Sequence, residues 1–572
     1  MTKRKIIIIL QIIISFLSAS AQVKKGEADF KREVTLYNPY KPSLADARKK
    51  SYLPEIIDTS KVNPVFSYQV SSEPFSPTYS IIPIKSATLL SDPLPKLYKS
   101  YIKLGLGSNT TPLGEISITN LRSKKVAVGI YAKHYSSNGT VPLENNQRVF
   151  SGFMDNDASL FGKKFFRKSY FDISANFLQR IRYAYGYNTD EPYNFDKKDI
   201  KLNYYDLGAT ASFSSLLLDS ADLAYDFDLT YNYFHDTEER TMNHVGFSGT
   251  MGKLYKGFYM GSGLQIDHYR LSDSLYIDPK YILTFNPFVR KSTGQWNFNL
   301  GIRLAVEKNL SSNSSLYLYP DFKLGFSIVP EYMQLFASLN GKLENNEPLN
   351  VISENPYLVP DGSLFRVPNT NYSSIISGGL KGNNGLGGNY FASVSYTQVK
   401  NLLLYSNIVY PDTASTSERG NHFIVMPDDA SIFNIHGEFS GLVTDKVSFN
   451  ALANYYHFTL SENEFAWNKP SWDGKFGLVY NLRNKIIAGT EITVVGRRKL
   501  MISQSQTGWM TLEPYVVEEP LQINLGLSAE YRYTKILSFW FKINNISWNR
   551  YYEWAYYPSQ MFNFMLGFTY SL

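Results

Sequence analysis

Seven histidines are the first residues to consider for catalysis or metal binding: His134, His235, His244, His268, His422, His436 and His457. No two of them lie within four positions of each other, so no local segment presents a histidine pair, and no HExxH, EF-hand or P-loop motif occurs. The chain has no cysteine, which excludes thiol nucleophiles, disulfides and cysteine-ligated zinc or iron–sulfur clusters. The sequence therefore predicts no metal site and no cofactor.

Paired carboxylates are the other residues that could do chemistry. Glycosidases use two such groups, and four acidic pairs fall in predicted loops: Glu238-Glu239, Asp428-Asp429, Glu462/Glu464 and Glu518-Glu519. Solvated surface loops explain these pairs better, because no other catalytic residue type stands at a fixed spacing from them. We therefore predict that the protein is not an enzyme and has no catalytic residues, and a barrel protease or lipase is the weakest alternative.

A run of three cations, Arg497-Arg498-Lys499, follows a predicted strand over 486–495. Cations at a membrane surface bind anionic headgroups, here those of lipopolysaccharide. The other interpretation is a solvated strand end. The whole chain has a net charge of +7, which is too small for its length to indicate a nucleic-acid partner.

The aromatic content narrows the class of protein. The chain has 44 Tyr, 37 Phe and 7 Trp in 572 residues, at a mean hydropathy of −0.24. That average is too polar for a helical membrane protein, and the aromatic content is high for a soluble enzyme. A transmembrane β-barrel satisfies both, because alternate residues of its strands face lipid and water.

Residues 1–21 have the layout of a secretory signal peptide. Lys3, Arg4 and Lys5 precede an apolar run of 12 residues, Ile6–Leu17, and small residues lead to a predicted cleavage between Ala21 and Gln22. The alternative is an N-terminal membrane anchor, but the apolar run is shorter than the roughly 18 residues that such an anchor needs. No later segment is apolar enough to span as a helix, so the exported chain is either secreted or an outer-membrane barrel.

Alternation with a period of two favours the barrel. Apolar and aromatic residues alternate with polar ones over Leu223–Tyr233, Trp296–Val306, Leu521–Tyr533 and Phe562–Leu572. These segments are 11 to 13 residues long, and a tilted strand needs about 9–11 to cross a bilayer. A large secreted β-sandwich or propeller also alternates, but its strands are shorter.

The spacing of such segments predicts an all-β fold, a transmembrane antiparallel barrel of about 22 strands over residues 98–572. Residues 22–97 differ, because they are rich in proline and cannot form central strands. We predict an extended periplasmic or lumen-lying arm, with one short helix near Ser43–Lys50. The polar phase of the alternating strands predicts that the following residues face the lumen: Asp226, Asp228, Asn232, Asn297, Asn299, Arg303, Gln522, Asn524, Glu530 and Arg532.

Two local patterns then suggest a family. Asn355–Asp361, with the strands Tyr372–Gly382 and Tyr390–Asn401 that follow, resembles the mid-barrel signature of TonB-dependent outer-membrane receptors. The segment from Ile543 to the chain end resembles the last two strands of that family. Asp361 stands where the family usually has Glu. The family's Gly-Arg is replaced by Ser559-Gln560-Met561, and its terminal aromatic by Leu572.

The resemblance implies a barrel in the outer membrane of a Gram-negative bacterium. It does not extend to residues 22–97, which are too short and too proline-rich for the plug domain of these receptors, so the chain resembles a plugless relative. The first functional hypothesis is a transport or channel protein for small solutes. The alternative is a structural subunit of a multiprotein outer-membrane complex, whose arm binds a periplasmic partner. Expected partners are outer-membrane lipid and lipopolysaccharide, with periplasmic or outer-membrane proteins possible and no nucleic acid.

Overall fold

The computed structural model describes residues 98–120, 123–187, 189, 196–216, 222–272, 279–308, 314–358, 367–385, 387–409, 421–504, 514–547 and 550–572. The predicted signal peptide with its Ala21–Gln22 cleavage site, the arm 22–97 and the helix near Ser43–Lys50 lie outside the described residues. All the structural statements below concern residues from 98 onwards.

Twenty-two strands of the described chain form one wall. In chain order they are β1 (Ser100–Gly107), β2 (Thr111–Thr119), β3 (Val126–Ser137), β6 (Phe153–Phe165), β7 (Ser169–Tyr183), β8 (Lys201–Ser215), β9 (Ala224–His235), β10 (Thr241–Tyr255), β11 (Phe258–Ser272), β12 (Lys280–Thr293), β13 (Trp296–Lys308), β14 (Ser314–Val329), β15 (Met333–Glu344), β16 (Thr370–Asn383), β17 (Asn389–Val409), β18 (Asn421–Thr444), β19 (Val447–Leu460), β20 (Trp472–Leu482), β21 (Ile486–Val495), β24 (Gln522–Arg532), β25 (Leu537–Asn544) and β28 (Asn563–Ser571).

Three small hairpins and one helix lie in the connections between wall strands. The hairpins are β4 (Thr140–Pro142) with β5 (Arg148–Phe150), β22 (Arg498–Gln504) with β23 (Tyr515–Glu519), and β26 (Tyr552–Trp554) with β27 (Tyr557–Pro558). The helix α1 (Pro348–Glu354) follows β15 and begins with a proline, which suits the first turn because proline has no N–H to donate.

The wall closes on itself. The first strand, β1, pairs antiparallel with the last, β28, from Tyr101 opposite Ser571 to Gly107 opposite Met565. Every other wall strand pairs antiparallel with its neighbours on both sides. A closed sheet leaves no unpaired strand edge, which is what a barrel in lipid requires. The predicted antiparallel barrel of about 22 strands is confirmed.

The glycines Gly105 and Gly567 face each other at this seam. The indole of Trp540 lies over them, and a Cβ on Gly105 would come within 2.5 Å of its Cη2 atom. The absence of side chains on this cross-strand pair is therefore what lets the ring lie flat against the seam.

The outward face of the strands is apolar. The exposed large side chains fall on one face of each strand, as with Leu229 and Tyr231 on β9, or Leu300, Ile302 and Leu304 on β13. In water such a surface is unfavourable, and in a bilayer it is the lipid-facing belt of an outer-membrane barrel. The predicted outer-membrane location is therefore confirmed.

The described part of the chain contains no helix that is both long and apolar enough to span a membrane.

The two ends of the barrel differ in their connections. Short turns lie at the end that also holds Ser100 and Leu572, as at Lys256-Gly257, where positive φ angles of 48° and 78° make a tight hairpin. Long connections lie at the opposite end, as at 184–200, 345–369 and 545–562. Outer-membrane barrels have short periplasmic turns and long extracellular loops, so we call these the inner end and the outer end.

At the outer end, several connections fold over the lumen and pack together. We call them the outer layer: residues 184–187, α1 with residues 355–358, the outer parts of β17 and β18 (residues 402–409 and 421–428), and the hairpins β22–β23 and β26–β27. Past a bulge between Val399 and Leu402, β17 and β18 continue as one long ribbon, and β22 adds to β17 as a parallel strand. Nineteen buried side chains form the core of this layer.

This core reaches across the barrel mouth. Wall residues from one side, such as Tyr204 on β8 and Phe234 on β9, belong to the same apolar cluster as Tyr405 on β17 and Phe423 on β18. In the 22-strand ring, β8 and β17 stand nine strands apart, close to opposite positions. Inward-folded segments therefore span most of the width of the outer end.

Candidate functional site

The wall of the lumen is the candidate site, and the ten residues predicted from the polar phase lie on three of its strands. On β9, Asp226, Asp228 and Asn232 lie on the face opposite Leu229 and Tyr231. The Asp226 carboxylate accepts a short hydrogen bond from Ser214, and that of Asp228 accepts one of 3.2 Å from Ser248. Asn232 donates to Asp206 at 3.0 Å.

The three predicted residues of β13 lie on one face and bond to neighbouring strands. Asn297 accepts from Ser292, Asn299 accepts from the Arg290 guanidinium at 2.8 Å, and the Arg303 guanidinium donates to the Gly341 carbonyl at 2.8 Å. These contacts tie β12, β13 and β15 together through side chains.

The four predicted residues of β24 divide between the two ends. Gln522 donates to the Tyr552 carbonyl at 2.6 Å, and Asn524 accepts from the Asn545 N–H at 3.1 Å, so both support connections at the outer end. Glu530 and Arg532 pair with each other at 3.1 Å near the inner end. No hydrogen bond or ion pair found among the described residues joins the sets on β9, β13 and β24.

Unlike charges occupy different sectors of the wall. The polar faces of β8, β9 and β11 carry Asp206, Asp226, Asp228 and Asp267, which we call the acidic sector. The polar faces of β12, β14 and β16 carry Arg290, Lys323 and Lys381, which we call the basic sector, and all three are exposed. Alternation in β12, β14 and β16 was a sufficient signal for these three cations, but our sequence reasoning did not extend to those strands.

A cavity of about 690 Å³ opens on the basic sector. Its lining includes Arg290, Lys323 and Lys381, together with the rings of Phe336 and Phe391. Lys291 is the fourth cation of the lining, and no carboxylate side chain of the described residues belongs to it. Four cations on a partly aromatic surface make this part of the wall suitable for holding an anion.

Three tyrosines stack at the centre of the outer layer. The Tyr357 and Tyr557 rings are 3.8 Å apart between centroids, and the Tyr185 ring meets Tyr557 edge-on at 5.0 Å. The Tyr557 hydroxyl donates to the Asn421 carbonyl, and that of Tyr185 donates to the Pro558 carbonyl at 2.9 Å. Burial raises the pKa of the Tyr185 and Tyr357 hydroxyls, so both remain neutral hydrogen-bond donors.

Buried polar contacts join the outer layer to the wall. The Lys280 ammonium donates to Asn345 at 2.6 Å and also to Asn369, whose amide in turn donates to Glu307 at 2.8 Å. The Tyr204 hydroxyl on β8 donates to the Pro356 carbonyl at 3.2 Å. These contacts fix the segment that carries α1 against the strands β8, β12 and β13.

The cationic run 497–499 has a role that sequence reasoning missed. Only Arg497 is well exposed, and it pairs with Glu518 at 3.3 Å. The Arg498 guanidinium donates to the backbone carbonyls of Tyr552 and Glu553, the latter at 2.9 Å, so it joins two hairpins of the outer layer. Burial raises the pKa of the nearby Glu519 carboxyl to about 7, although Arg498 opposes the shift.

Two acidic pairs that we expected in loops lie in strands. Asp428 and Asp429 belong to β18, and Glu518 and Glu519 belong to β23. Asp428 accepts hydrogen bonds from the backbone N–H groups of Glu462 and Asn463. These bonds lower its pKa, although burial opposes the shift. The carboxylate therefore holds a loop in place. The expectation of loops failed for Asp428-Asp429 because β17 and β18, with 21 and 24 residues, continue as a ribbon past the bulge at Val399.

A second cavity, of about 410 Å³, lies between the outer layer and the wall. Tyr357, Tyr557 and Glu553 line it from the layer, while Asp155 and Arg182 line it from β6 and β7. We call it the side cavity. It marks a polar gap beside the stacked tyrosines.

Within the part of the chain that the structure describes, no group of three or more histidine and acidic side chains is placed to hold a metal ion. The nearest approaches are pairs, such as His244 with Asp267 at 2.9 Å and His436 with Glu438 at 2.9 Å.

Comparisons with known proteins define the class of the molecule by its fold. No family model matches the sequence, and no curated protein matches it. Solved structures do match: the FrpB iron transporter from Neisseria meningitidis has a TM-score of 0.63 at 11% identity, with 84% of this chain and 82% of that chain covered. The fold is therefore that of a 22-stranded outer-membrane receptor barrel.

Two further structures support the same class. The pyoverdine outer-membrane receptor FpvA from Pseudomonas aeruginosa PAO1 has a TM-score of 0.61 at 12% identity, covering 84% of this chain and 79% of that chain. The copper transporter OprC has a TM-score of 0.59 at 13% identity, with coverages of 84% and 81%. The predicted resemblance to TonB-dependent receptors is confirmed for the fold of the barrel. Sequence identities as low as these establish a shared fold and nothing further.

Proposed function

We propose that the protein is an outer-membrane transport barrel for small solutes, whose outer entrance is held shut by its own outer layer. The lumen-facing candidates on β9, β13 and β24 would line the solute path. The fold likeness to transporters and receptors supports transport over catalysis.

One observation carries the proposal: a polar, charged wall in the inner half leads to a packed aromatic layer at the outer end. A barrel with a purely structural role has no need of exposed charges such as Arg290 and Lys381 on its lumen face. A polar wall of this kind suits water and hydrated solutes.

The outer layer supplies the closure that this proposal needs. If residues 22–97 form the predicted arm and lie outside the lumen, another part of the chain has to prevent leakage through a wide barrel. The stacked tyrosines Tyr185, Tyr357 and Tyr557, together with the buried core around them, fit that role. Solute would enter past them along the side cavity after a movement of the β26–β27 hairpin.

Conductance in planar lipid bilayers tests the proposal. The full-length protein should show small or rare openings, and Tyr557→Ala should show large and frequent ones, because the substitution removes the central ring of the stack. Tyr531→Ala is the matched control and should behave as the unchanged protein does, since this tyrosine is exposed on the outward face of β24 and does not belong to the layer. Equal, silent behaviour of all three proteins would refute a transport lumen.

The alternative is a structural subunit of an outer-membrane complex. The observation in its favour is the extent of the outer layer, whose buried core and hydrogen bonds to the wall suit a barrel that never opens. Affinity purification from detergent-solubilised outer membrane distinguishes the two functions. A silent barrel with a stoichiometric protein partner, lost when residues 22–97 are deleted, would support the structural role.

A further inference from the structure

The 690 Å³ cavity on the basic sector is a site that the fold likeness does not assign, and only Asn297 and Asn299 of the ten predicted residues line it. It lies toward the inner end, because Arg290 is three positions before the end of β12 at Thr293 and Lys381 is close to the end of β16 at Asn383. It is separate from the outer layer and from the side cavity. Its volume falls within the range of about 300–1,000 Å³ that is usual for small-molecule sites.

Among the described residues, the charge of this cavity is only partly compensated. The Arg290 guanidinium donates to the neutral Asn299 amide and covers the Phe288 ring at 4.1 Å, and it has no ion pair there. The carboxylate nearest to the Lys323 ammonium is that of Asp321, at 3.8 Å, and it does not line the cavity. Lys381 has no ion pair among the described residues. Arg290 and Lys381 therefore stay available for an anion from the lumen, while Lys323 has one ion pair, at 3.8 Å, among the described residues. The fourth cation of the lining, Lys291, lies over the Phe258 ring at 4.2 Å.

The rest of the lining adds a flat apolar surface. The Phe336 and Phe391 rings lie nearly parallel, with an interplanar angle of 14° and centroids 5.4 Å apart. The amides of Asn297 and Gln334 stand beside them as hydrogen-bond donors. Inorganic anions need only charge and donors, whereas aromatic side chains favour a ligand with an apolar ring of its own.

We propose that this cavity binds small organic anions that carry a carboxylate on a flat apolar group. The carboxylate would lie between Arg290, Lys323 and Lys381, and the ring would pack on Phe336 and Phe391. If these anions are also the solutes that the barrel transports, this proposal rests on the proposed transport function.

The acidic sector makes the binding directional. Asp226 and Asp228 accept from serine hydroxyls and have no ion pair within the part of the chain that the structure describes, so the β9 wall repels the same anions that the basic sector attracts. An anion in the inner half is thereby guided toward the cavity side of the lumen.

Equilibrium dialysis of the full-length protein in detergent tests the site without requiring passage through the membrane. The probes are benzoate, inorganic phosphate and benzylamine. Benzoate should bind, phosphate more weakly, and benzylamine not at all. The double variant Lys323→Gln/Lys381→Gln should weaken benzoate binding about tenfold or more, which is the usual effect of losing hydrogen bonds to a charged group. Lys542→Gln, an exposed lumen cation on β25, is the matched control and should leave it unchanged.

The natural lack of cysteine allows a second, local measurement. In Ser338→Cys the new thiol lies in the cavity lining, and benzoate should slow its reaction with a small maleimide. Ser528→Cys, in a different cavity of the wall, should react at the same rate with or without benzoate.

These outcomes separate this proposal from the transport function. Benzoate binding by a barrel that stays silent in bilayers would retain the site and reject transport. The site itself is rejected if benzoate does not bind, or if it binds equally well to the double variant. A third result would also reject the site. If the thiol of Ser338→Cys does not react with maleimide even without benzoate, and can be crosslinked to residues 22–97, then the protein's own arm occupies the cavity.

Discussion

The inner and outer halves of this barrel follow the same alternation but use their inward-facing residues differently. In the inner half, residues such as Asp226, Arg290 and Lys381 stand exposed to the lumen. In the outer half, residues of the same phase, such as Tyr204 and Phe234, are buried beneath folded connections. The difference shows that the loops determine whether a wide lumen is filled with protein, because only they can bring apolar side chains to the middle of the barrel.

The largest expected effect lies in the outer half. Tyr557→Ala removes a ring that is 2% exposed and stacks on Tyr357. Truncation of a buried aromatic side chain lowers the free energy of unfolding by about 3–5 kcal/mol. The backbone amides of the β26–β27 hairpin should therefore exchange hydrogen much faster in the variant. If the exchange rate in this hairpin does not change, the Tyr557 ring does not hold the outer half together, and the contrast in packing between the two halves is contradicted.

A smaller effect is expected where the layer meets the wall. Asn369→Ala removes the amide that accepts from Lys280 and donates to Glu307. Leaving such buried partners unsatisfied costs about 1–3 kcal/mol, and thermal unfolding followed by circular dichroism should show a lower midpoint. Gln295→Ala, in the exposed inner turn between β12 and β13, is the control and should leave the midpoint in place.

The outer layer should also depend on pH through Glu519. Burial raises its pKa to about 7 from an ordinary value of 4.5, so the folded hairpin favours the neutral carboxyl. The protonated Glu519 carboxyl therefore stabilises the folded hairpin fully below pH 4.5, and this stabilisation falls as the pH rises and is lost above about 7. It contributes at most about 3 kcal/mol to the free energy of unfolding. Limited proteolysis at residues 496–499 should therefore be faster at pH 8 than at pH 5. The Glu519→Gln variant should be cleaved at the same rate at both pH values. If the unchanged protein is also cleaved equally fast at pH 5 and pH 8, Glu519 does not control the stability of this hairpin.

The smallest effect on stability is expected in the inner half. Arg290→Gln changes an exposed residue with one neutral side-chain partner, so the unfolding free energy should shift by no more than about 0.5 kcal/mol. Its effect should appear in function instead: bilayer reversal potentials should show weaker preference for anions over cations. A marked loss of stability with unchanged selectivity would mean that the basic sector is structural.

Much of the wall could be predicted because alternation is a local property. The segments Leu223–Tyr233, Trp296–Val306, Leu521–Tyr533 and Phe562–Leu572 correspond to β9, β13, β24 and β28 within one or two residues at most ends. The strand Ile486–Val495 has the same bounds in the structure as in the prediction. Each of these strands is specified by which of its two faces meets lipid.

The site was harder to predict because it depends on pairs that are distant in sequence. Nothing near Tyr557 in the chain indicates that its ring meets Tyr357, or that Arg498 donates to the carbonyls of Tyr552 and Glu553. The acidic pair at 428–429 looked like a loop because no local pattern marks where a strand leaves the membrane and continues.

The sequence by itself determined a cysteine-free chain whose alternating strands close into a lipid-facing barrel, and it predicts that the chain is exported. The physical reason is that period-two patterning and the exclusion of polar groups from lipid act residue by residue. The tertiary structure alone decided that the outer connections fold inward, that the lumen is packed at one end and charged at the other, and that cations from three separate strands share one cavity. These features arise from contacts between strands far apart in the chain, and such contacts exist only after the ring has closed.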